Sequence, residues 1–462
     1  MQYEDFIKSK EFKILNQSIE INRDDLNSKL FDYQKDLVYL ALKKGKFALF
    51  AMTGTGKTAM QVEWAYKVHK YTNMPVLILA PLSVASQTKD EAKEILGYEI
   101  SLCECQDDVI NGVNITNYDK LHKFDLSVFS GVVLDESSIL KSFTSSTTET
   151  LISELSDTRY KLCCTATPAP NDYIELGNHC EFLNVMSRTE MLATFFVHDG
   201  GDTAKWRLKG HAVDKFWEWV AHWAVLFTKP TDIGYDDIED KKYSLPNKYT
   251  FEHVVHSKAT DGLLFAIDAT DLNSRRQARR DSLKDRCNLA ADIVNKSDGC
   301  FIVWCDLNVE SETLKKLIPD SVEVKGSDKE SHKIKAIEDF KSGKVRVLIS
   351  KASMFGFGLN FQHCHNMVFT GLSDSFEQVF QAERRCYRFG QKSDVNVHIV
   401  ISEAEGNVKR NQERKEKQFL NMIDELIVHT KKFTLKELKA IQNETTEYSP
   451  HLIMRLPKFI LN

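Results

Sequence analysis

A glycine-rich run set between an apolar strand and a helix limits this chain more than any other feature. Phe47 to Ala51 is apolar and too short for a helix, and Lys57 to Tyr71 carries helical periodicity. Between them runs Ala51-Met52-Thr53-Gly54-Thr55-Gly56-Lys57-Thr58. Gly54 and Gly56 let the backbone turn tightly, so that amide N–H groups point at one place. Lys57 adds a positive charge there, and the Thr58 hydroxyl adds an oxygen able to ligate a metal ion. That set suits phosphate groups, and it belongs at the end of a strand in a parallel α/β sheet. The strict pattern has glycine where Ala51 stands, and a small residue is a common variant.

The rest of the chain repeats the alternation. Val76 to Ala80, Val113 to Thr116, Gly131 to Leu134 and Lys161 to Thr165 read as strands, with a helix at Ser86 to Leu96. A second alternating unit begins near His256. Its strands are Phe301 to Cys305, Val322 to Val324, Val345 to Ser350, Met367 to Thr370 and Val395 to Ile401. Its helices are Val309 to Ile318, Lys333 to Lys341 and Ser375 to Arg388. The chain has 462 residues, enough for two or more domains.

The segmentation that follows is a lead-in at 1–30, a first lobe at 31–183, an aromatic connector at 184–255, a second lobe at 256–402 and a helical brace at 403–462. The connector holds Trp206, Trp217, Trp219 and Trp223, and Asp214 to Phe227 has helical spacing. Tryptophans so spaced read as core before they read as base-stacking platforms. The brace reads as two helical pieces, Lys409 to His429 and Leu435 to Asn443.

Net charge is −5, so the chain as a whole does not advertise nucleic acid, although a basic groove alone would suffice. None of the ten cysteines forms a Cys-x-x-Cys pair, which argues against a zinc ribbon and for buried reduced thiols. His363-Cys364-His365 reads as a loop in preference to a metal site. Met1 to Lys10 has no apolar segment of the signal-peptide kind, and no run is long enough to span a membrane. The expected location is the cytoplasm.

Three more constellations carry chemistry. Val132-Val133-Leu134 delivers Asp135 and Glu136 to a strand end, where Asp135 can hold Mg²⁺ and Glu136 can deprotonate an attacking water. Thr165-Ala166-Thr167-Pro168 places short hydroxyls at the next strand end. Farther on, Gly356 to Phe361 precedes Gln381-Ala382-Glu383-Arg384-Arg385-Cys386-Tyr387-Arg388-Phe389-Gly390-Gln391. On one helix, Gln381, Arg385 and Arg388 would share a face, and two guanidiniums can neutralise charge on a transferring phosphoryl group.

In order and content these runs resemble the motifs of the superfamily-two helicases and translocases, most closely the Swi/Snf-like branch. Residues 30 to 402 carry the likeness. Tyr33-Gln34 is similar to the adenine-reading motif, Ala51–Thr58 to motif I, Pro81-Leu82-Ser83 to Ia, and Thr116-Asn117-Tyr118 to Ib. Asp135–Ser138 is similar to motif II, Thr165–Pro168 to III, Phe301–Trp304 to IV, Gly356–Phe361 to V and Gln381–Gln391 to VI. Asn171 and Glu175-Leu176 follow motif III as they do in that branch. Ser138 stands where motif II usually has histidine. Phe355 stands where motif V usually has glycine, with Ser353 a candidate for its hydroxyl. The compact segment Trp206 to His211 is similar to bacteriophage and prophage forms, which implies the cytoplasm of a bacterial host.

The resemblance implies two RecA-like α/β lobes with parallel sheets, and ATP and Mg²⁺ in the cleft between them. Catalysis would fall to Lys57, Asp135, Glu136, Gln381, Arg385 and Arg388. Nucleotide would touch Tyr33, Gln34, Thr53, Gly54, Thr55, Gly56, Lys57, Thr58, Gly358 and Asn360, with Mg²⁺ on Thr58 and Asp135. DNA, duplex or branched, would cross Pro81, Ser83, Asn117, Arg275, Arg276, Arg279 and Arg280. The expected protein is a monomeric DNA translocase or helicase of phage replication, recombination or repair, with replication or recombination proteins as possible partners. An RNA motor, or a nucleotide-gated scaffold recruiting a nuclease or primase, are the alternatives.

Overall fold

A computed structural model of the chain describes residues 18–81, 84–199, 202–236, 240, 244–256, 277, 279–355 and 359–442. Short apolar runs form strands buried on both faces, as parallel sheets require. In the first lobe β1 (Lys46–Ala51), β2 (Val76–Ala80), β3 (Ser101–Leu102), β4 (Val113–Asn117), β5 (Gly131–Asp135) and β6 (Tyr160–Thr165) all pair in parallel.

Later in the chain, β7 (Phe196–Asp199) and β8 (Asp202–Leu208) form an antiparallel hairpin. The strand β9 (Ala224–Phe227) then returns to lie beside β1, so the first sheet has seven strands in the order β3-β4-β2-β5-β6-β1-β9. The second lobe contains β10 (Lys248–Val255), β11 (Phe301–Cys305), β12 (Ser321–Val324), β13 (Val347–Lys351), β14 (Asn366–Thr370) and β15 (Val395–Ser402). Its sheet is also parallel, in the order β10-β15-β14-β11-β13-β12.

This corrects the expected connector at 184–255. Two strands inside it belong to the lobes' sheets, β9 to the first and β10 to the second. The stretch Asp214 to Phe227 is a helix, Val213–Ala221, followed by a strand; between them His222 N donates to Trp219 O and Trp223 N to Val220 O. Trp217 and Trp223 are buried in the first lobe's core, where Trp223 stands edge-on to Phe50. They are core residues.

The brace is one helix, Gly406–Gln442, not two pieces. At 37 residues it runs about 55 Å, long enough to touch both lobes. Near its start Lys415 Nζ donates to the Asp374 carbonyl at 3.3 Å, and Gln412 Nε2 donates to Ser373 O. Farther along, the Tyr173 hydroxyl donates to Glu425 at 2.7 Å and Lys431 Nζ donates to Thr231 O at 2.9 Å. Between these anchors Phe419 packs 5.4 and 5.2 Å from the rings of Phe376 and Phe380. One apolar cluster therefore runs from the first lobe through this helix into the second.

Candidate nucleotide site

The glycine-rich loop leaves β1 and enters the helix Lys57–Thr72. Gly54 and Gly56 have φ of 93° and 83°, left-handed values that favour glycine. At Gly56 a Cβ would also collide with Gln34 Nε2, and at Gly54 it would lie 2.8 Å from Phe389 Cβ of the second lobe. The loop is thus pressed from both sides. The Tyr33 hydroxyl donates to Thr55 O at 2.8 Å, and Gln34 Nε2 donates to the same carbonyl at 3.1 Å. Tyr33, Gln34 and Thr55 are buried and brace the loop from beneath.

The cleft above is lined from the first lobe by Gln34, Thr53, Lys57, Thr58, Asp135 and Glu136, and from the second by Asn360, Arg385, Arg388 and Phe389. Lys57 Nζ donates to Ala51 O at 2.8 Å. Burial lowers its pKa, opposed by the charges of Glu136 and Asp135. Asp135 is lifted to about 7, first by burial and then by the Glu136 carboxylate, with Lys57 pulling the other way. This concentration of negative charge, only partly matched by Lys57, fits a divalent cation. The Tyr118 hydroxyl holds the Asp135 carbonyl at 2.7 Å.

Glu136 has φ of 56°, a left-handed backbone that costs a non-glycine residue about 1–3 kcal/mol. Thr165 Oγ1 donates to Glu136 Oε2 at 3.2 Å. The strain and the hydrogen bond together fix this carboxylate at the mouth of β5. Beside it Ser137 Oγ lies 3.1 Å from His179 Nε2, and burial drives His179 down to about 4. Motif II thus meets a buried neutral histidine at Ser137, supplied by the helix Leu176–Phe182, while Ser138 is itself buried.

The expectation of one helix bearing Gln381, Arg385 and Arg388 is corrected. The helix is Phe376–Glu383, and both arginines lie in the turns that follow it. Arg385 Nε donates to Gln381 O at 2.9 Å, Nη2 to Gln381 Oε1 at 2.9 Å, and Nη1 to Leu359 O at 3.0 Å. Gln381 is wholly buried behind it and holds the arginine without lining the cleft. Burial, then Arg388, lowers Arg385 to about 9, against the pull of Glu136 and Asp135 across the cleft. Arg388 is the less committed of the two. Its Nη1 reaches Leu359 O only at 3.4 Å, and its Nε has no partner.

The expected DNA contacts divide. Pro81 is half-buried and Arg280 is exposed. Asn117 is buried and caps a short turn, accepting from Lys120 N at 3.2 Å. The assignment of Arg279 to phosphate is corrected. It is 7% exposed and paired with Asp306 at 2.7 Å and Glu405 at 3.2 Å, because it sits beneath the start of the long helix. Ser83, Arg275, Arg276 and Gly358 lie outside the described residues. Among the described residues no group of three or more His, Cys, Asp or Glu is placed to hold a metal ion, and no helix is long and apolar enough to cross a membrane. All ten cysteines are unpaired.

Two lobes with parallel sheets closing on one phosphate cradle define a two-domain NTPase. Residues 48–196 match the SNF2-related domain, and residues 285–390 match the helicase conserved C-terminal domain. With both in this order, the chain belongs to the Swi/Snf-like branch of the superfamily-two helicases, a class of ATP hydrolases. It is 22% identical over 423 residues to the DNA annealing helicase and endonuclease ZRANB3 of Mus musculus, and 22% identical over 422 residues to that of Bos taurus. Each alignment covers 82% of this chain but 39% of the relative's length. A Sulfolobus solfataricus SWI2/SNF2 ATPase core in complex with dsDNA aligns over 90% of this chain and 98% of its own, at 16% identity and a TM-score of 0.41.

Proposed function

We propose that this chain is an ATP-dependent DNA translocase or helicase that couples ATP hydrolysis to movement on, or remodelling of, duplex or branched DNA. The observation that carries the reading is convergence. Lys57, Asp135 and Glu136 of the first lobe and Arg385 and Arg388 of the second line the same cleft. Such a site is complete only when the lobes meet, so hydrolysis reports their closure.

The residues divide the work by position. The loop amides, Gly54 and Gly56 receive phosphate oxygens, and Lys57 offsets their charge. Thr58 and Asp135 would hold Mg²⁺, which when bound supplies charge neutralisation at the β- and γ-phosphates. Glu136, fixed by Thr165, orients a water and takes its proton as the water oxygen attacks the γ-phosphorus and the bond to the β-phosphate oxygen breaks. Arg388, with Arg385 beside it, offsets the charge on the transferring group.

DNA is favoured as the track by the motif VI form Gln381–Gln391 and by relatives named as DNA helicases. A role in phage DNA replication, recombination or repair rests on the compact Trp206–His211 segment. The test is ATP hydrolysis with single-stranded, duplex, forked and four-way DNA, in wild type and Lys57→Ala. Stimulation by duplex or branched DNA that disappears in Lys57→Ala is expected. Stimulation by RNA alone would assign the motor to RNA.

A further inference from the structure

Glu377 belongs to no motif, yet it makes a buried ionic contact between the lobes. It lies in the first turn of the helix Phe376–Glu383 of the second lobe, and its side chain is 2% exposed. Both of its oxygens are taken by the first lobe. Lys141 Nζ, from the turn after Glu136, pairs with Oε2, and Thr167 Oγ1 donates to Oε1 at 3.2 Å. A carboxylate this buried needs such partners, since an unpaired buried charge is strongly unfavourable. Separation of the lobes would remove both partners at once and return the carboxylate to water. The contact therefore distinguishes closed from open lobes, which a coupling residue must do.

Its connections run back to the phosphate site in both directions. Toward the first lobe, Thr167 N donates to Thr165 Oγ1 at 3.1 Å, and Thr165 Oγ1 donates to Glu136 Oε2 at 3.2 Å. Toward the second, Glu377 lies one helical turn before Gln381, whose carbonyl and side-chain oxygens each hold Arg385 at 2.9 Å. The path from the base Glu136 to the arginine Arg385 is thus closed by one carboxylate.

We propose that Glu377 is a positioning residue that couples lobe closure to hydrolysis, clamped by Lys141 and Thr167 so that the arginine turn is set over the phosphate cradle only when the lobes meet. This rests on the motor reading above. Glu377 is not among the described residues that line the cleft, so its loss should change turnover and leave ATP affinity nearly intact.

The test is steady-state ATP hydrolysis by the full chain, with and without duplex DNA, in Glu377→Gln, Lys141→Met and the exchange pair Lys141→Glu with Glu377→Lys. Each single variant should lower DNA-stimulated kcat about tenfold, with KM for ATP within about twofold of wild type. Glu377→Gln, which leaves no unpaired charge, should keep its melting temperature, whereas Lys141→Met, which strands the buried carboxylate, should lower it. The exchange pair, which restores opposite charges across the junction, should recover most of the loss. Unchanged kcat in both single variants overturns the proposal. So does a fall in kcat, KM and melting temperature together that the exchange pair does not reverse, because that pattern marks a packing role. A wild type indifferent to every DNA defeats the motor reading instead. Even then, basal kcat that falls in the single variants and returns in the exchange pair upholds the clamp.

Discussion

At the scale of single residues the site is a set of constrained groups, and the constraints set the expected effects of substitution. Glu136→Gln keeps the shape but removes the proton acceptor, so kcat should fall by about 10²–10⁴-fold while ATP still binds, as single-turnover and binding measurements would show. Full activity would remove Glu136 from the role of base. Gly56→Ala places a methyl group against Gln34 at a left-handed position, and should lower both nucleotide affinity and stability, the latter by about 1–3 kcal/mol. His179 carries a sign that can be checked by pH. Burial takes it from an ordinary 6.5 down to about 4. Between those values the unfolded chain binds a proton that the folded chain does not, so stability is lost as pH falls through that window. His179→Gln should flatten this loss by up to about 1.4 kcal/mol per pH unit, read from denaturant midpoints between pH 6.5 and 4. That Lys57, Asp135 and Glu136 meet at one cleft was legible in the sequence, because each sits at a strand's end or where the next helix starts. The left-handed backbone of Glu136, the histidine behind Ser137 and the partners of Glu377 were not, since each depends on residues tens to hundreds of positions away.

Among elements, strands that follow a loop and precede a helix were read correctly, including β1, β2, β5 and β6. Two failures have a common cause. Ala224–Phe227 follows an apolar helix with little interruption, so periodicity alone cannot separate the two, and only pairing with β1 makes it a strand. Likewise helical spacing across Gln381, Arg385 and Arg388 suggested one continuous helix. Tertiary anchors end it at Glu383, because Leu359 O and Gln381 draw Arg385 inward. Charge pattern also misled at Arg279. A run of four arginines looks solvent-facing until acidic partners from distant turns, Asp306 and Glu405, enclose one of them. The long C-terminal helix offers the element-scale prediction. Phe419 is 2% exposed between Phe376 and Phe380 of one lobe and the core of the other. Phe419→Ala should cost about 3–5 kcal/mol, and should broaden or split the thermal transition as the lobes lose their common support.

For the whole molecule, the proposed function requires both halves of the chain, since the cleft is lined from both lobes. On the proposed reading the first lobe would hold phosphate and base and the second would hold the arginines, while the Gly406–Gln442 helix touches both lobes. Phe389 packed over Gly54 and Glu377 clamped by Lys141 and Thr167 are both contacts between the lobes. A ligand that favours their meeting will raise hydrolysis by exactly as much as it favours closed over open lobes, up to the rate of the closed state. The central claim is that the active site is shared between lobes and driven by DNA. It is tested most directly by ATP turnover of wild type and Arg388→Ala with and without duplex DNA. If the site is shared between the lobes, wild type is stimulated by DNA, and the variant still binds ATP but has lost that stimulation. A variant stimulated as strongly as wild type would contradict it.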